Sequence, residues 1–290
     1  MIFIRNNELI GEGKIQWWKN FAFALYIVPE GNKLKNTIKF YLTLKMSIPK
    51  SHPRYVSLKI RDKIVDGVKK GITSLHGLTA HGRGEAFDYL IGEKTTESAK
   101  RSIEAAAALL LLAKHPIISV NGNAAALVAK ELVQLSKAIP AKLEVNIFHP
   151  SKQRELKIKN ELIRNGAKEV LLPQKNCTIN HLGSNRRYVN ENGILKADVV
   201  FVPLEDGDRI EALVKNGKKA IVVDLNPLSR SAQRATITIV DNIVRAVPLL
   251  IKTIKRLKKY NLSEKQLKVI VKHHNNKKRL KEALKEVRII

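Results

Sequence analysis

The sequence is poor in cysteine, in acidic residues and in long apolar runs. Cys177 is the only cysteine among 290 residues, so an intramolecular disulfide and a cysteine-based zinc site are excluded, and the reducing cytoplasm is the expected location. The longest apolar runs reach about half of the ~18–20 residues that a membrane span requires. Residues 1–20 also do not follow the pattern of a signal peptide. The sequence therefore predicts no membrane partner.

Acidic residues number 26 against 53 lysines and arginines, which gives a formal net charge of +27. This sign favours anionic partners such as nucleotides, phosphorylated metabolites, nucleic acid or lipid surfaces. A lysine-rich proteome would raise the charge of every protein, and it is the simpler explanation of the overall excess. The charge alone does not identify the partner.

Three segments of the chain differ in pattern. Residues 1–45 show weak periodicity. Met46 is a candidate start, in which case residues 1–45 would not be translated; the alternative is a true appendage that docks through its aromatic residues Trp17, Trp18 and Phe21. Residues 46–259 have a regular, turn-punctuated pattern, and residues 260–290 predict a basic tail of one or two helices.

Helical patterns alternate with short apolar runs between residues 57 and 259. Nearly continuous apolar runs are typical of strands that helices cover on both faces. The predicted strands are Ile117–Val120, Leu143–Phe148, Glu169–Leu172, Val199–Pro203, Ala220–Asp224 and Thr236–Val240. The predicted helices are 57–70, 96–114, 125–137, 152–165, 209–216 and 243–259. The alternation predicts a doubly wound, Rossmann-like α/β fold with a mostly parallel sheet and an N-terminal helical region.

Polar clusters follow four of the predicted strands. In open parallel sheets, ligands bind beyond the carboxyl ends of the strands. The clusters are 121–123, 205–208, 226–231 and 241–242. Together they predict a nucleotide or another phosphate-bearing ligand. The chain has neither a GxxxxGK[ST] phosphate loop nor a three-glycine dinucleotide motif, so the site must be of a less common type.

The most distinctive local motif is His81-Gly82-Arg83-Gly84-Glu85. An arginine between two glycines can bring its backbone close to a ligand and offer a planar fork to phosphate oxygens. If the segment is extended, the His81, Arg83 and Glu85 side chains point the same way. The alternative is a glycine-rich turn with a solvated arginine.

The acidic groups at the strand ends have both functional and structural interpretations. Glu205 and Asp206 could ligate magnesium or hold a substrate ammonium group, whereas Asp208, three residues before Glu211, is expected to cap the next helix. Asp224 lies just past a strand, where an acid often receives ribose hydroxyls, although an ordinary Asn-Pro turn is the alternative there.

Six motifs, in this order, resemble the archaeal 4-phosphopantoate–β-alanine ligase family, also called phosphopantothenate synthetase. They are His52 to Arg61, His81 to Leu90, Ser119 to Asn123, Val202 to Arg209, Asp224 to Ser231 and Ile239 to Asn242. The resemblance spans Ser51 to Lys255, so residues 46–259 would form the ligase domain. It departs from the family pattern at Ala129 and Ile210, where Pro and Thr are expected, and residues 176–192 are difficult to align.

The resemblance implies an ATP-dependent step of coenzyme A biosynthesis in a Rossmann-like homodimer. 4-Phosphopantoate and β-alanine would form 4′-phosphopantothenate, AMP and diphosphate through a phosphopantoyl adenylate, with Mg²⁺ carried by ATP. The residues implied to bind ATP are Arg61, Arg83, Asp224, Leu225, Asn226, Arg230, Ser231, Asn242 and Ile243.

Further roles are predicted at the same motifs. The residues expected to bind substrate are Arg54, Asn121, Asn123, Glu205 and Asp206. Asp206 is also a candidate ligand of Mg²⁺. Arg83 is predicted to stabilise the α-phosphate during adenylation. The candidate bases for the incoming β-alanine are His81, Glu85 and Asp206, and solvent is the other alternative.

Two other function classes remain open at this point. A nucleic-acid-binding protein would use the net charge and the basic tail, but only 5% of the residues are aromatic and acidic clusters lie where the backbone phosphates would dock. Another nucleotide-using enzyme, such as a dehydrogenase or a kinase, could use the same fold.

Overall fold

The computed structural model describes residues 2–5, 8–12 and 48–287. The chain divides into two units, Met1–Lys50 and Ser51–Ile290. In the first unit, β1 (Ile2–Arg5) and β2 (Glu8–Glu12) form an antiparallel pair. The proposed docking aromatics at 17, 18 and 21 and the candidate start at Met46 lie outside the described residues, so both interpretations of residues 1–45 stay predictions.

The second unit contains a parallel sheet of five strands. The strands are β3 (Pro116–Val120), β4 (Lys142–Val145), β5 (Val199–Pro203), β6 (Lys219–Val223) and β7 (Ile237–Ile239). Their order is β4-β3-β5-β6-β7, and all neighbours are parallel. Every residue of β3 and β5 is buried, as expected for strands covered on both faces. The predicted α/β fold is confirmed.

The predicted strand at Glu169–Leu172 is wrong. In the described structure, only Leu171 pairs with β4, through an isolated bridge to Glu144. Lys168 and Glu169 are exposed, and Pro173 follows directly. Because proline has no backbone N–H to donate, it cannot extend the ladder. The segment therefore touches the sheet edge at one residue.

Ten helices of the described residues surround the sheet. They are α1 (Tyr55–Lys69), α2 (Leu75–Leu90), α3 (Glu97–Leu112), α4 (Gly122–Ala138), α5 (Lys152–Arg164), α6 (Gly207–Lys215), α7 (Arg230–Arg234), α8 (Ile243–Lys259), α9 (Glu264–His273) and α10 (Asn276–Lys285). All six predicted helices are confirmed to within three residues, and the basic tail forms α9 and α10. No helix in the described ranges has the length and apolar character to cross a membrane.

The motif around Arg83 lies in α2, so both earlier interpretations, extended strand and turn, are wrong. Ser74 caps this helix and accepts a hydrogen bond from the Gly77 backbone N–H at 3.3 Å. In a helix, His81 and Glu85 are four residues apart and share a face, whereas Arg83 lies on another. The helix therefore separates Arg83 from His81 and Glu85, with which an extended segment would have aligned it.

The core positions the site by fixing the helices that precede and follow the sheet. Helices α3 and α8 pack together, and α4 packs on α8. Their contact surfaces include Ala106, Leu110, Leu132 and Leu250, each at most 1% exposed. Burial of this apolar surface holds the amino end of α4 at the carboxyl edge of β3.

Candidate active site

A cavity of about 820 Å³ lies at the carboxyl edge of the sheet. It is lined by residues that follow each of the five strands and by one side of α2. The chain runs from β3 to β4 on one side of the sheet and from β5 to β6 and β7 on the other. Ligands bind at such a reversal of strand order because the loops diverge there and leave a crevice.

Asn121 and Asn123 hold the middle of this cavity together. The Asn121 side chain caps α4 by accepting from the Ala124 N–H at 3.0 Å, and it donates to the carbonyl oxygens of Pro203 and Leu204 at 3.1 and 2.7 Å. The Asn123 amide donates to the Gly77 carbonyl at 2.8 Å. Both residues line the cavity, and their side-chain bonds join β3 to β5 and α4 to α2. Their expected role in substrate binding stays a prediction.

Glu205 is enclosed by two arginines. Its carboxylate, which is 1% exposed, accepts hydrogen bonds from Arg186 and Arg209, whose side chains are 4% and 0% exposed. Arg209 also donates to Ser119 at 3.1 Å. Burial lowers the pKa of Arg186 to about 9 and that of Arg209 to about 10, so both remain cationic at neutral pH. We call Arg186, Glu205 and Arg209 the buried charge cluster.

Asp206 differs from its neighbour because its side chain is 52% exposed. It accepts one hydrogen bond from Arg186 at 2.8 Å and lines the cavity. One carboxylate with an open side fits Mg²⁺ held mainly by the phosphates of a nucleotide. Within the described residues, no group of three or more His, Cys, Asp or Glu side chains could hold a metal ion.

The predicted cap at Asp208 is wrong. Asp206 is the N-cap residue of α6, its side chain makes no capping bond, and Asp208 lies in the first helical turn. Glu211 instead accepts from Arg230 at 2.7 Å. Hydrogen bonds from Arg230 and Lys215 lower the pKa of Glu211 to about 2, so this carboxylate orients Arg230 and takes no part in a capping box.

The loop after β6 is shaped by Asp224. Its carboxylate accepts from the Ser229 hydroxyl at 2.5 Å and from the Asn226 N–H at 2.9 Å. Burial raises the pKa of Asp224, and these two bonds and the charge of Arg83 act in the opposite direction. Because the charge of Arg83 acts on the pKa of Asp224, the motif on α2 lies close to the loop after β6.

Most of the predicted ATP residues are brought together in the cavity. Those that line it are Arg83, Asp224, Leu225, Asn226, Arg230, Ser231, Asn242 and Ile243. The Ser231 hydroxyl donates to the Glu205 carbonyl at 2.6 Å, and the Asn242 amide donates to Asp88 at 2.7 Å. These bonds fix the loops after β5, β6 and β7 relative to α2.

Three predicted residues form a separate cluster between α1 and α2 and do not belong to the described lining of the cavity. Glu85 accepts from Arg61 at 2.9 and 3.0 Å, from Arg54 at 3.3 Å and from Tyr89. Burial favours a raised pKa of Glu85, but the hydrogen bonds from Tyr89 and Arg61 outweigh it and hold the pKa below its usual range. The functional roles of Arg54, Arg61 and Glu85 stay predictions.

His81 lines the cavity, and its Nε2 atom is buried without a hydrogen-bond partner in the described part of the chain. Burial lowers the pKa of this imidazole, and Glu85 only partly opposes that effect. The ring is therefore neutral at neutral pH. A neutral imidazole can accept a proton from a bound ligand.

Among the histidines and arginines of the lining, sequence reasoning missed four: His76, His149, Arg154 and Arg186. His149 lies in the loop after β4 and directly follows the predicted strand Leu143–Phe148, so a search of the strand ends could have found it. Arg186 lies in a short 3₁₀ turn, Asn185–Arg187, inside the segment that is difficult to align. No local pattern indicates that this arginine reaches Glu205.

The chain matches the model of the family described as phosphopantothenate/pantothenate synthetase over residues 98–289. A 4-phosphopantoate–β-alanine ligase of Thermococcus kodakarensis is 54% identical over 244 residues, which cover 84% of this chain and 93% of that protein. The Methanosarcina mazei protein of the same name is 50% identical over 240 residues, covering 83% and 94%. The expected resemblance is confirmed: the chain belongs to the phosphopantothenate/pantothenate synthetase family.

Proposed function

We propose that the chain is an ATP-dependent ligase that joins 4-phosphopantoate to β-alanine and releases AMP and diphosphate. The observation that carries this proposal is the cavity at the strand ends, which gathers eight of the nine residues expected to bind ATP. Three curated relatives with this activity in their names match more than four fifths of the chain at 50–54% identity.

The chemistry requires activation of a carboxylate, because a carboxylate is a poor acyl donor. An oxygen of phosphopantoate attacks the α-phosphorus of ATP, and the bond from that phosphorus to diphosphate breaks. The amine of β-alanine then attacks the acyl carbon, the bond from that carbon to AMP breaks, and the nitrogen loses a proton. Both steps develop negative charge on phosphate oxygens, which cationic donors in a partly enclosed site stabilise.

Arg83 and Arg230 are the cavity arginines that we assign to the phosphates of ATP. Arg83 faces the loop of Asp224 and is assigned to the α-phosphate, where a planar guanidinium offers two parallel donors. Arg230 is oriented by its bonds to Glu211 and is assigned to the other phosphates. Asp224 and Asn226 are assigned to the nucleoside.

His81 is the base that the geometry favours for β-alanine. Of the three candidates, Glu85 is bound by two arginines outside the described lining and Asp206 is bound by Arg186. The imidazole of His81 lines the cavity, is neutral at neutral pH, and its Nε2 atom has no hydrogen-bond partner among the described residues. A general base of this kind contributes about 10²–10⁴-fold to the rate.

The test is an analysis of the nucleotide products of purified protein with Mg-ATP, 4-phosphopantoate and β-alanine. We expect AMP only when both 4-phosphopantoate and β-alanine are present. In the matched control, plain pantoate replaces 4-phosphopantoate. Formation of ADP would indicate a kinase and contradict the proposal. Folded protein that gives neither product would also contradict it, and salt-dependent binding of nucleic acid would then support the main alternative.

We expect a cytoplasmic homodimer, in keeping with the single cysteine and the family resemblance. Light scattering of the purified protein measures the mass directly. An active monomer would contradict the expected dimer without affecting the proposed reaction.

A further inference from the structure

One end of the cavity is lined by two histidines and an arginine that take no part in the chemistry proposed above. His149 lies in the loop after β4, His76 is the second residue of α2, and Arg154 is the third residue of α5. The two imidazole centroids are 5.0 Å apart. Arg154 donates from Nη1 to the His149 carbonyl at 3.0 Å. The three side chains therefore form one contiguous group, which we call the histidine-arginine group.

The histidine-arginine group suits an anion. The Nε atom of Arg154 is buried and has no hydrogen-bond partner among the described residues. The carboxylates of the cavity lining have other partners, since Glu205 and Asp206 bind Arg186 and Asp224 binds Ser229. A buried donor without an acceptor destabilises a protein, because it has lost its hydrogen bond to water and gained none in return. A ligand with several anionic oxygens would supply the missing acceptor.

The strand order places the histidine-arginine group far from the residues assigned to ATP. β4 is an edge strand, and β3 and β5 separate it from β6. Neighbouring strands are about 4.8 Å apart, so the end of β4 lies roughly 14 Å from the end of β6. The nucleotide residues follow β6 and β7, whereas His149 follows β4. The cavity therefore has a nucleotide end and an opposite end.

The reaction fixes which part of the acid substrate points to the opposite end. The carboxylate at C1 must meet the α-phosphate of ATP, and the phosphate at C4 lies at the other end of the same four-carbon chain. We propose that His76, His149 and Arg154 bind the 4-phosphate of the acid substrate and so select phosphopantoate over plain pantoate; this rests on the proposed function. Without that phosphate, the Arg154 donor stays without an acceptor, which is how a polar site rejects an analogue that lacks the group.

The proposal is tested by steady-state kinetics of Arg154→Gln with both acids. Hydrogen bonds to a charged group contribute about 1.5–3 kcal/mol, so kcat/KM for 4-phosphopantoate should fall about 10–150-fold, mostly through KM. The KM values for ATP and β-alanine and the kcat/KM for plain pantoate should change less than twofold. Arg101→Gln, which alters an exposed arginine of α3, is the matched control and should behave as wild type.

His76→Ala is the second variant, because it leaves the bond from Arg154 to the His149 carbonyl in place. We expect it to raise the KM for 4-phosphopantoate while plain pantoate is unaffected. Arg154→Lys should restore part of the lost affinity, since it keeps the charge but not the fork. An equal loss on both acids in Arg154→Gln and His76→Ala would overturn the phosphate assignment while leaving the ligase function intact.

Direct binding separates failure of this proposal from failure of the ligase function. Calorimetric titration with 4-phosphopantoate and with inorganic phosphate needs no turnover. If the wild-type protein makes no AMP but binds 4-phosphopantoate, and Arg154→Gln abolishes that binding, the function is overturned and the phosphate subsite stands. Equal binding by wild type and Arg154→Gln would overturn the subsite.

Discussion

Glu205→Gln should destabilise the protein strongly, because it removes an anion that two buried arginines share. The Glu205 carboxylate is 1% exposed and accepts from Arg186, from Arg209 and from the Asp206 N–H at 2.8 Å. A glutamine there has no charge, and its amide N–H₂ must face an arginine N–H. Arg186 would keep Asp206 as a partner, but Arg209 would lose its only ion pair among the described residues.

Removal of one member of a buried ion pair destabilises a protein by about 3–5 kcal/mol. We expect a loss of that size in the free energy of unfolding, measured by urea denaturation at pH 7, where both arginines are cationic. For a domain of this size, the corresponding fall in Tm is about 6–20 °C. Glu264→Gln is the matched control, because Glu264 pairs with Lys268 while both side chains are more than 60% exposed. It should leave the free energy of unfolding unchanged within error.

The double variant Glu205→Gln, Arg209→Met separates the ion pair from general damage to packing. Arg209→Met removes the cation that Glu205→Gln leaves without a partner, so the double variant should lose at least about 1 kcal/mol less than the sum of the two single losses. Strictly additive losses, or a loss below about 1 kcal/mol in Glu205→Gln, would refute the reasoning.

Three further predictions follow from other contacts. Arg83→Ala should lose about 2–4 kcal/mol of transition-state stabilisation, measured as AMP release; an unchanged kcat would remove Arg83 from this role. Burial raises the pKa of Glu144 to about 7, so the folded state keeps a proton on this carboxyl that the unfolded state loses from about pH 4.5. The free energy of unfolding should therefore fall by up to about 3 kcal/mol as the pH rises to 7. Chemical denaturation across this pH range should show no such fall in Glu144→Gln, and a flat wild-type profile would contradict the prediction. Gly122→Ala would put a Cβ 2.5 Å from the Ile72 carbonyl oxygen and should lower the free energy of unfolding by about 1–3 kcal/mol, measured by chemical denaturation. Gly82→Ala is the control and should not destabilise the protein, because no atom lies within 4 Å of the added Cβ. Similar losses in the two variants would contradict the steric argument.

The sheet could be predicted from sequence because its strands are apolar on both faces. The continuous runs at β3, β5 and β6 have no other simple interpretation once their length is considered. Helix α2 could not be predicted in this way. Its buried residues are Glu85 and Asp88, which pair with arginines, so the helix has no apolar stripe. Its glycines also lower helix propensity by about 1 kcal/mol each, and tertiary contacts override that preference.

The site residues that follow the ends of strands could be predicted from the sequence, whereas those in irregular loops could not. Asn121 and Asp224 come directly after strands and Asn242 follows shortly after β7, so the parallel topology alone predicts that they share one edge. Arg186 reaches the same edge from a loop with no repeating pattern, and its partner Glu205 is distant along the chain. Such a pairing depends on how the loop packs, and periodicity carries no information about it.

The width of the sheet has a consequence for engineering. Under the assignments proposed above, the nucleotide is held by Arg83 of α2 and by the loops after β6 and β7. The 4-phosphate of the acid is held by His76 of α2, by His149 in the loop after β4 and by Arg154 in α5. Two strands, β3 and β5, stand between these loops. A designer could therefore exchange residues 148–154 to admit acids of other shapes, with the adenylating half of the cavity and the bonds between Asn146 and Arg186 left intact. The fold would then serve as a scaffold for enzymatic synthesis of unrelated amides.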